Sequence, residues 1–234
     1  MGKGSMNKLP KAITSSEFLL RTASALVLAP IILLAVYAGG MAFYVLILLC
    51  CISMSWEWAQ LIRHRYSGKQ QALCILTWAG LGFFYIIIPC ACLVVLRELV
   101  GMAVVFWILL SVWSVDIGAY IAGISIGGPK IAPSISPKKT WAGFIGGTLA
   151  AVVAGLVFTQ LGITVKINSV INSIGLAVVA QIGDLLESAL KRHFNVKDSG
   201  KLIPGHGGIL DRVDSIVTAA IYAAIMHIIH LVWL

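Results

Sequence analysis

The stretch Leu99–Ile124, LVGMAVVFWILLSVWSVDIGAYIAGI, carries a single charged side chain, Asp116. A helix that crosses a bilayer needs about 20 mostly apolar residues, and this stretch exceeds that without a break. A helix apolar on every face is either the centre of a large core or a membrane span. Six more segments of the same kind surround it: Phe18–Ala38, Met41–Ile62, Gln71–Leu96, Trp141–Leu161, Ile167–Leu190 and Val213–Leu234. None alternates as a barrel strand does, so a β-barrel is excluded. Helices remain, because each satisfies its own backbone hydrogen bonds in lipid. The expected fold is all-α: a polytopic integral membrane protein of about seven transmembrane helices. Pro89 is able to split the third segment, which leaves room for an eighth or ninth short helix.

No repeat or low-complexity linker divides the chain, so residues 1–234 read as one transmembrane domain. Met1–Ser5 reads as a non-native remnant ahead of a second methionine, Met6, and is set aside. A cleaved signal peptide over Phe18–Ala38 is the minor alternative, since that run exceeds the usual core of about 7–15 apolar residues.

Composition agrees. Of the 234 residues 59% are hydrophobic and 11% charged, and mean hydropathy is +0.97. A soluble domain carries about 25% charged residues. These values exclude a disordered chain, a soluble globular enzyme and a nucleic-acid-binding domain, so no nucleic-acid partner is expected. The net charge of +8 comes from 17 Lys and Arg against 9 Asp and Glu. With seven spans, the N-terminal segment 1–17 and the loops near 63–70, 125–140 and 191–212 share one side. All but Arg97 and Lys166 of the basic residues then fall there or at its helix ends. Positive loops face the cytoplasm, which puts the N-terminus inside. The five cysteines are odd in number and sit in apolar segments. They read as buried apolar side chains rather than as a disulfide or zinc framework.

Ionisable groups inside spans are costly and are functional candidates by default. The acids there are Glu57, Asp116, Asp184 and Glu187, with Asp211 and Asp214 at the start of the last span. Asp116, Asp184 and Asp211 lie toward the cytoplasmic ends of three segments and are expected to converge at one depth. Asp184, Ser188 and Lys191 fall at i, i+4 and i+7, and Asp211 and Asp214 at i and i+3, so each set shares a helix face. Gathered carboxylates repel unless a cation lies between them, and oxygen-only ligands favour a hard ion such as Mg²⁺. Glu57, between Trp56 and Trp58, reads as an interfacial residue. Glu187 reads as the i, i+4 partner of Lys191.

Two basic loops adjoin these acids. Between Ser188 and Asp214 stand Lys191, Arg192, Lys197, Asp198, Lys201, Pro204-Gly205-His206-Gly207-Gly208 and Arg212. Lys and Arg supply charge and donors for phosphate oxygens. Glycines allow close backbone approach and an anion nest of free N–H groups. The helix start at Asp211 is a further phosphate-attracting feature. His206 is distinguished by the glycines on both sides of it. The second loop is Ser136-Pro137-Lys138-Lys139-Thr140-Trp141. Ser followed by Pro reads as N-cap and N1 of a helix, which would put two lysines in its first turn against the helix dipole. A bound polyanion would offset that. Gly143 and Gly147, spaced Gly-x-x-x-Gly, read as close helix packing. His64 and His193 read as solvated or facing lipid headgroups, and His227 and His230 as interfacial.

The segment Ser188–Asp214 resembles the signature of the phosphatidate cytidylyltransferase, or CDP-diacylglycerol synthase, family. The elements Ser-x-x-Lys-Arg, Lys197-Asp198 and His206-Gly207-Gly208-x-x-Asp211-Arg212-x-Asp214 carry the resemblance. Asp116-Ile-Gly-Ala-Tyr120 and Ser136-Pro-Lys138-Lys139-Thr140-Trp are similar to two further family motifs, within a catalytic half spanning 99–214. One position departs: many members have Glu where this chain has Ala142. The resemblance implies that CTP and phosphatidate give CDP-diacylglycerol and pyrophosphate in phospholipid biosynthesis. It implies Mg²⁺ held by Asp184 and Asp211, and a second, monovalent cation such as K⁺. It also implies a homodimer in a bacterial-type inner membrane with its active site facing the cytoplasm.

On that reading Lys191, Arg212, Asp214 and His206 join the two ligands as catalytic candidates. Ser136, Lys138, Lys139, Thr140, Ser188, Arg192, Lys197, Asp198, Lys201, Gly207, Gly208, Asp116 and Tyr120 are substrate-binding candidates. Two other classes compete. A CTP-dependent polyprenol or phytol kinase would need the same nucleotide and metal. An ion-coupled transporter would place its acids near the midplane, whereas here they cluster at one end beside Lys and Arg.

Overall fold

The computed structural model describes residues 15–66, 71–161, 169–200, 202 and 207–233. The N-terminal segment before Ser15, Lys201 and His206 lie outside the described residues. Within them the chain forms α1 (Ser15–Ala38), α2 (Gly40–Arg65), α3 (Ala72–Leu99) and α4 (Met102–Ser125). There follow β1 (Lys130–Ala132), β2 (Ser136–Thr140), α5 (Trp141–Gln160), α6 (Ser169–His193) and α7 (Leu210–Trp233). Each of the seven expected apolar segments contains a helix. Six of these, α2 to α7, are long and apolar enough to cross a membrane, and α1 adds the shorter apolar stretch Leu26–Ala38. Pro89 stays inside α3 without dividing it, so no eighth or ninth helix forms among the described residues.

Helix α4 runs through the core, with Val104, Val105, Trp107, Ile108, Leu109 and Val112 buried. It packs with Val36 of α1, Leu96 of α3, Leu176 of α6 and Ala219 of α7 in one apolar cluster. Large apolar side chains such as Met41, Leu73 and Ile171 face outward, as a lipid-facing surface requires. Against α5, the packing depends on small residues. A Cβ on Gly118 would stand 2.7 Å from the Gly146 carbonyl, and one on Gly147 would stand 2.8 Å from that of Val115. The Gly143–Gly147 spacing is thus part of a close helix–helix contact, as expected.

The helical fold carries one addition, a two-stranded antiparallel hairpin in which Lys130 pairs with Thr140 and Ala132 with Ser136. The expected helix start at Ser136-Pro137 is corrected by it. Ser136–Thr140 is strand, and Thr140 is the N-cap of α5, its Oγ1 accepting the Gly143 N–H at 3.1 Å. Both Ser136 and Thr140 can cap a helix. Pairing with β1 holds 136–140 extended, and the Trp141 N–H donates to the Pro129 carbonyl at 3.1 Å. Lys138 and Lys139 therefore precede the helix, and the dipole conflict expected for them does not arise.

Candidate active site

The close approach of α4 and α5 sets the hairpin beside the end of α4 and opens a cleft of ≈ 620 Å³. Asp116 and Tyr120 of α4 line it, with Lys130, Lys138, Lys139 and Thr140 from the hairpin strands. Gln181 and Asp184 of α6 and Ser215 of α7 complete the polar lining, and Val115, Ala119, Phe144 and Leu185 supply an apolar part. The charges are arranged as a basic rim on the hairpin facing an acidic wall on α4 and α6. Lys139 Nζ meets Asp184 Oδ2 at 2.5 Å, and both side chains remain partly exposed. The Gln181 amide is fixed by donating to the carbonyls of Phe144 (3.3 Å) and Ala177 (3.2 Å). Asp214 accepts the Ser215 N–H at 2.7 Å, and its carboxylate lies within electrostatic reach of Asp184 and Asp116.

The loop between α6 and α7 forms a second charged cluster. Asp211 Oδ2 accepts the N–H groups of Ser199 (3.0 Å) and Gly208 (2.9 Å), and its Oδ1 meets Lys191 Nζ at 2.8 Å. Lys191 also reaches Glu187 Oε2 at 2.5 Å, the expected i, i+4 pair. Beside them stands Glu57 of α2, fully buried. It accepts the N–H groups of Ile209 and Leu210, each at 2.9 Å, and the Ser199 hydroxyl at 3.1 Å. The interfacial reading of Glu57 is corrected: its carboxylate holds the loop at Ser199 and Ile209 and the start of α7 at Leu210. A lone acid within an apolar span was the available signal.

The glycines serve this arrangement. Gly207 has φ +85°, and a Cβ there would stand 2.8 Å from Asp211 Oδ2. A Cβ on Gly200 would stand 2.6 Å from Glu57 Oε1, and one on Gly208 would collide with Ser199 and Glu57. Among the described residues, part of the expected nest of N–H groups is engaged within the protein. The N–H groups of Ser199, Gly208, Ile209 and Leu210 are held by the protein's own carboxylates.

Of the other expected residues, Arg192 Nε donates to the Ile135 carbonyl at 3.2 Å and ties the end of α6 to the hairpin. Ser188 is half-buried on α6, Ser136 is half-buried on β2, and Lys197, Asp198 and Arg212 are exposed. The three acids expected to converge take different partners. Asp116 and Asp184 line the cleft with Asp214 near them, whereas Asp211 belongs to the loop cluster. His193, read as solvated, is exposed and sits against Trp78, ring centroids 4.7 Å apart, with Nε2 3.0 Å from the Tyr66 hydroxyl. All five cysteines are free thiols.

Among the described residues no three His, Cys, Asp or Glu side chains close around a metal-sized point. Magnesium does not demand such a cage. It takes one or two protein carboxylates and completes its shell with water and substrate phosphates. The partly exposed Asp184, with Asp116 and Asp214 in charge reach, is a donor set of that hard, oxygen-only type.

The sequence model of the Cytidylyltransferase family matches residues 19–81 and 66–230 of this chain. The phosphatidate cytidylyltransferase of Brucella suis is 35% identical over 245 residues, covering 86% of this chain and 89% of that protein. That of Rickettsia bellii is 39% identical over 227 residues, covering 91% of each. That of Bacillus subtilis is 49% identical over 118 residues, covering 49% of this chain and 44% of that protein. A family pattern that spans most of the helices, and full-length relatives at this identity, show that the chain belongs to the cytidylyltransferase family.

Proposed function

We propose that this protein is a phosphatidate cytidylyltransferase, which transfers the cytidylyl group of CTP to phosphatidate and releases pyrophosphate. The product is CDP-diacylglycerol, a precursor for phospholipid synthesis. The observation that carries this reading is the cleft, where lysines of the hairpin face Asp116 and Asp184 between apolar helices. A lipid substrate keeps its chains in the bilayer while a nucleotide arrives from water, so helix ends are a fitting place for both.

In the reaction a phosphate oxygen of phosphatidate attacks the α-phosphorus of CTP. The bond from that phosphorus to the bridging oxygen breaks, and pyrophosphate leaves with the electron pair. The attacking oxygen is already ionised at neutral pH, so no general base is needed. Both reactants are anions, and such transfers depend mainly on positioning and charge neutralisation. Lys130, Lys138 and Lys139 supply positive charge on one side of the cleft. Arg192, by holding the hairpin to α6, keeps that side in register with Asp184. Lys191, placed between Glu187 and Asp211, neutralises the loop acids and fixes the start of α7.

Asp184 and Asp211 are the proposed magnesium ligands, with Asp116 and Asp214 beside Asp184. Asp211, its Oδ1 paired with Lys191, would contribute from the neighbouring loop. A magnesium ion held there would polarise the α-phosphate and neutralise its developing charge. The reading also includes a second, monovalent cation such as K⁺ and a homodimeric assembly, both carried over from the family resemblance. The clustering of basic residues toward one side supports an active site and an N-terminus facing the cytoplasm.

The test is pyrophosphate release by the purified protein in mixed micelles. Release from CTP that requires phosphatidate supports the proposal. Release that is indifferent to phosphatidate, or none at all, contradicts it.

A further inference from the structure

Glu57 lies in the second helix, far in sequence from every motif that identifies the family, yet it is among the most completely buried polar side chains. An isolated carboxylate in that setting is costly unless it is fully hydrogen-bonded. Its two oxygens accept three hydrogen bonds, all from the loop between α6 and α7 or the first residue of α7. Two come from the N–H groups of Ile209 and Leu210. The first N–H groups of a helix have no partner within it, and a negative charge there is favoured by the helix dipole. Glu57 thus caps α7 from a different helix.

The same turn holds Asp211. Ser199 gives its N–H to Asp211 and its hydroxyl to Glu57. Gly208 gives its N–H to Asp211, and the next two N–H groups go to Glu57. The two carboxylates take adjacent donors of the same loop, so the orientation of Asp211 depends on where Glu57 holds that loop. The shape of the loop is cut to Glu57 as well. The three atoms nearest to a Cβ added on Gly200 all belong to Glu57, at 2.6, 2.8 and 3.0 Å.

We infer that Glu57 is a positioning residue for cytidylyl transfer: from α2 it clamps Ser199, Ile209 and Leu210 and so sets Asp211 and Lys191 in their working geometry. This role rests on the function proposed above. It does not require Glu57 to touch substrate. A glutamine has the same shape but only one accepting oxygen, so Glu57→Gln leaves at least one of the three donors facing an NH₂ group.

The experiment measures kcat, the KM for CTP and thermal melting of purified wild type and Glu57→Gln in mixed micelles with phosphatidate. The expected result is a folded, monodisperse variant whose kcat falls by about tenfold or more while its KM changes by less than about threefold. Loss of folded yield with a normal kcat per folded molecule would overturn the inference and leave Glu57 a structural residue only. If Glu57→Gln does not fold, Gly200→Ala and Gly200→Ala with Glu57→Asp decide the matter. The added methyl should lower kcat, and the shorter acid should recover part of it, as coupled neighbours do. Equal loss with and without Glu57→Asp, or no loss from Gly200→Ala, would overturn it. A wild type that transfers nothing from CTP to phosphatidate defeats the proposed function. A wild type and Glu57→Gln that transfer equally well defeat only the role of Glu57.

Discussion

Lys139 closes onto Asp184 across the cleft at 2.5 Å and so links strand β2 to helix α6. The pair is partly exposed, and such pairs contribute about 0–1 kcal/mol to stability. Its value lies in what it holds ready, a cation on one side and a carboxylate on the other of a space lined by both.

Replacing Lys139 by Ala should therefore cost activity and not folding. We expect kcat/KM for CTP to fall by about tenfold or more, with the melting temperature in detergent changed little. Steady-state kinetics beside a thermal melt check this. A large loss of stability would show the lysine to be a structural member of the hairpin.

Lys191 behaves in the opposite way. It is the cation between Glu187 and Asp211, whose side chains are 1% and 6% exposed. Removing one partner of a buried ion pair costs about 3–5 kcal/mol, because the remaining charge is left uncompensated. Lys191→Met should lower the yield of folded protein and the melting temperature. Adding Glu187→Gln should restore part of both, and a melting series over the four combinations measures it.

The α4–α5 contact sets the width of the cleft. Gly146→Leu should separate the helices, because even a Cβ there would stand 3.0 Å from the Gly118 carbonyl and collide with Ala122. Overpacking of this kind costs about 1–3 kcal/mol or more, and activity should fall with it. Gly80 in α3 has nothing within 4 Å of an added Cβ. Gly80→Ala should be neutral or stabilising by up to about 1 kcal/mol. Melting and activity of the two variants side by side provide the contrast.

Thr140→Val keeps the shape of the N-cap of α5 but removes the acceptor of the Gly143 N–H. Loss of a cap costs about 1 kcal/mol. Because Lys138 and Lys139 precede this residue directly, kcat/KM should fall together with the melting temperature. Thr140→Ser, which retains the hydroxyl, should preserve both.

Much of this architecture is legible in the sequence. Length and all-round apolarity locate the seven helices, since lipid leaves the chain few alternatives. The ends are less legible. Helix α2 runs past the apolar window to Arg65, and α6 runs to His193, because cations in a last turn suit the helix dipole. The hairpin is hidden because Ser136-Pro137 and Thr140 are competing cap signals, and a pairing with Lys130–Ala132 decides between them. The glycines of the signature loop also have two readings. At Gly200, Gly207 and Gly208 the groups in close approach are Glu57, Asp211 and Ser199. Glu57 itself is visible only as a lone acid in an apolar run, because its partners lie in a loop far along the chain.

The central claim is that a cytidylyl group, and not a terminal phosphate, passes from CTP to a lipid. The most direct test incubates the purified protein with Mg²⁺, phosphatidate and CTP labelled at either the α- or the γ-phosphate, then extracts the lipid. The account predicts that α-label enters the lipid fraction and γ-label does not, and that chelation of Mg²⁺ abolishes the transfer. γ-Label in lipid without α-label would identify a kinase, and no label from either would contradict the account altogether.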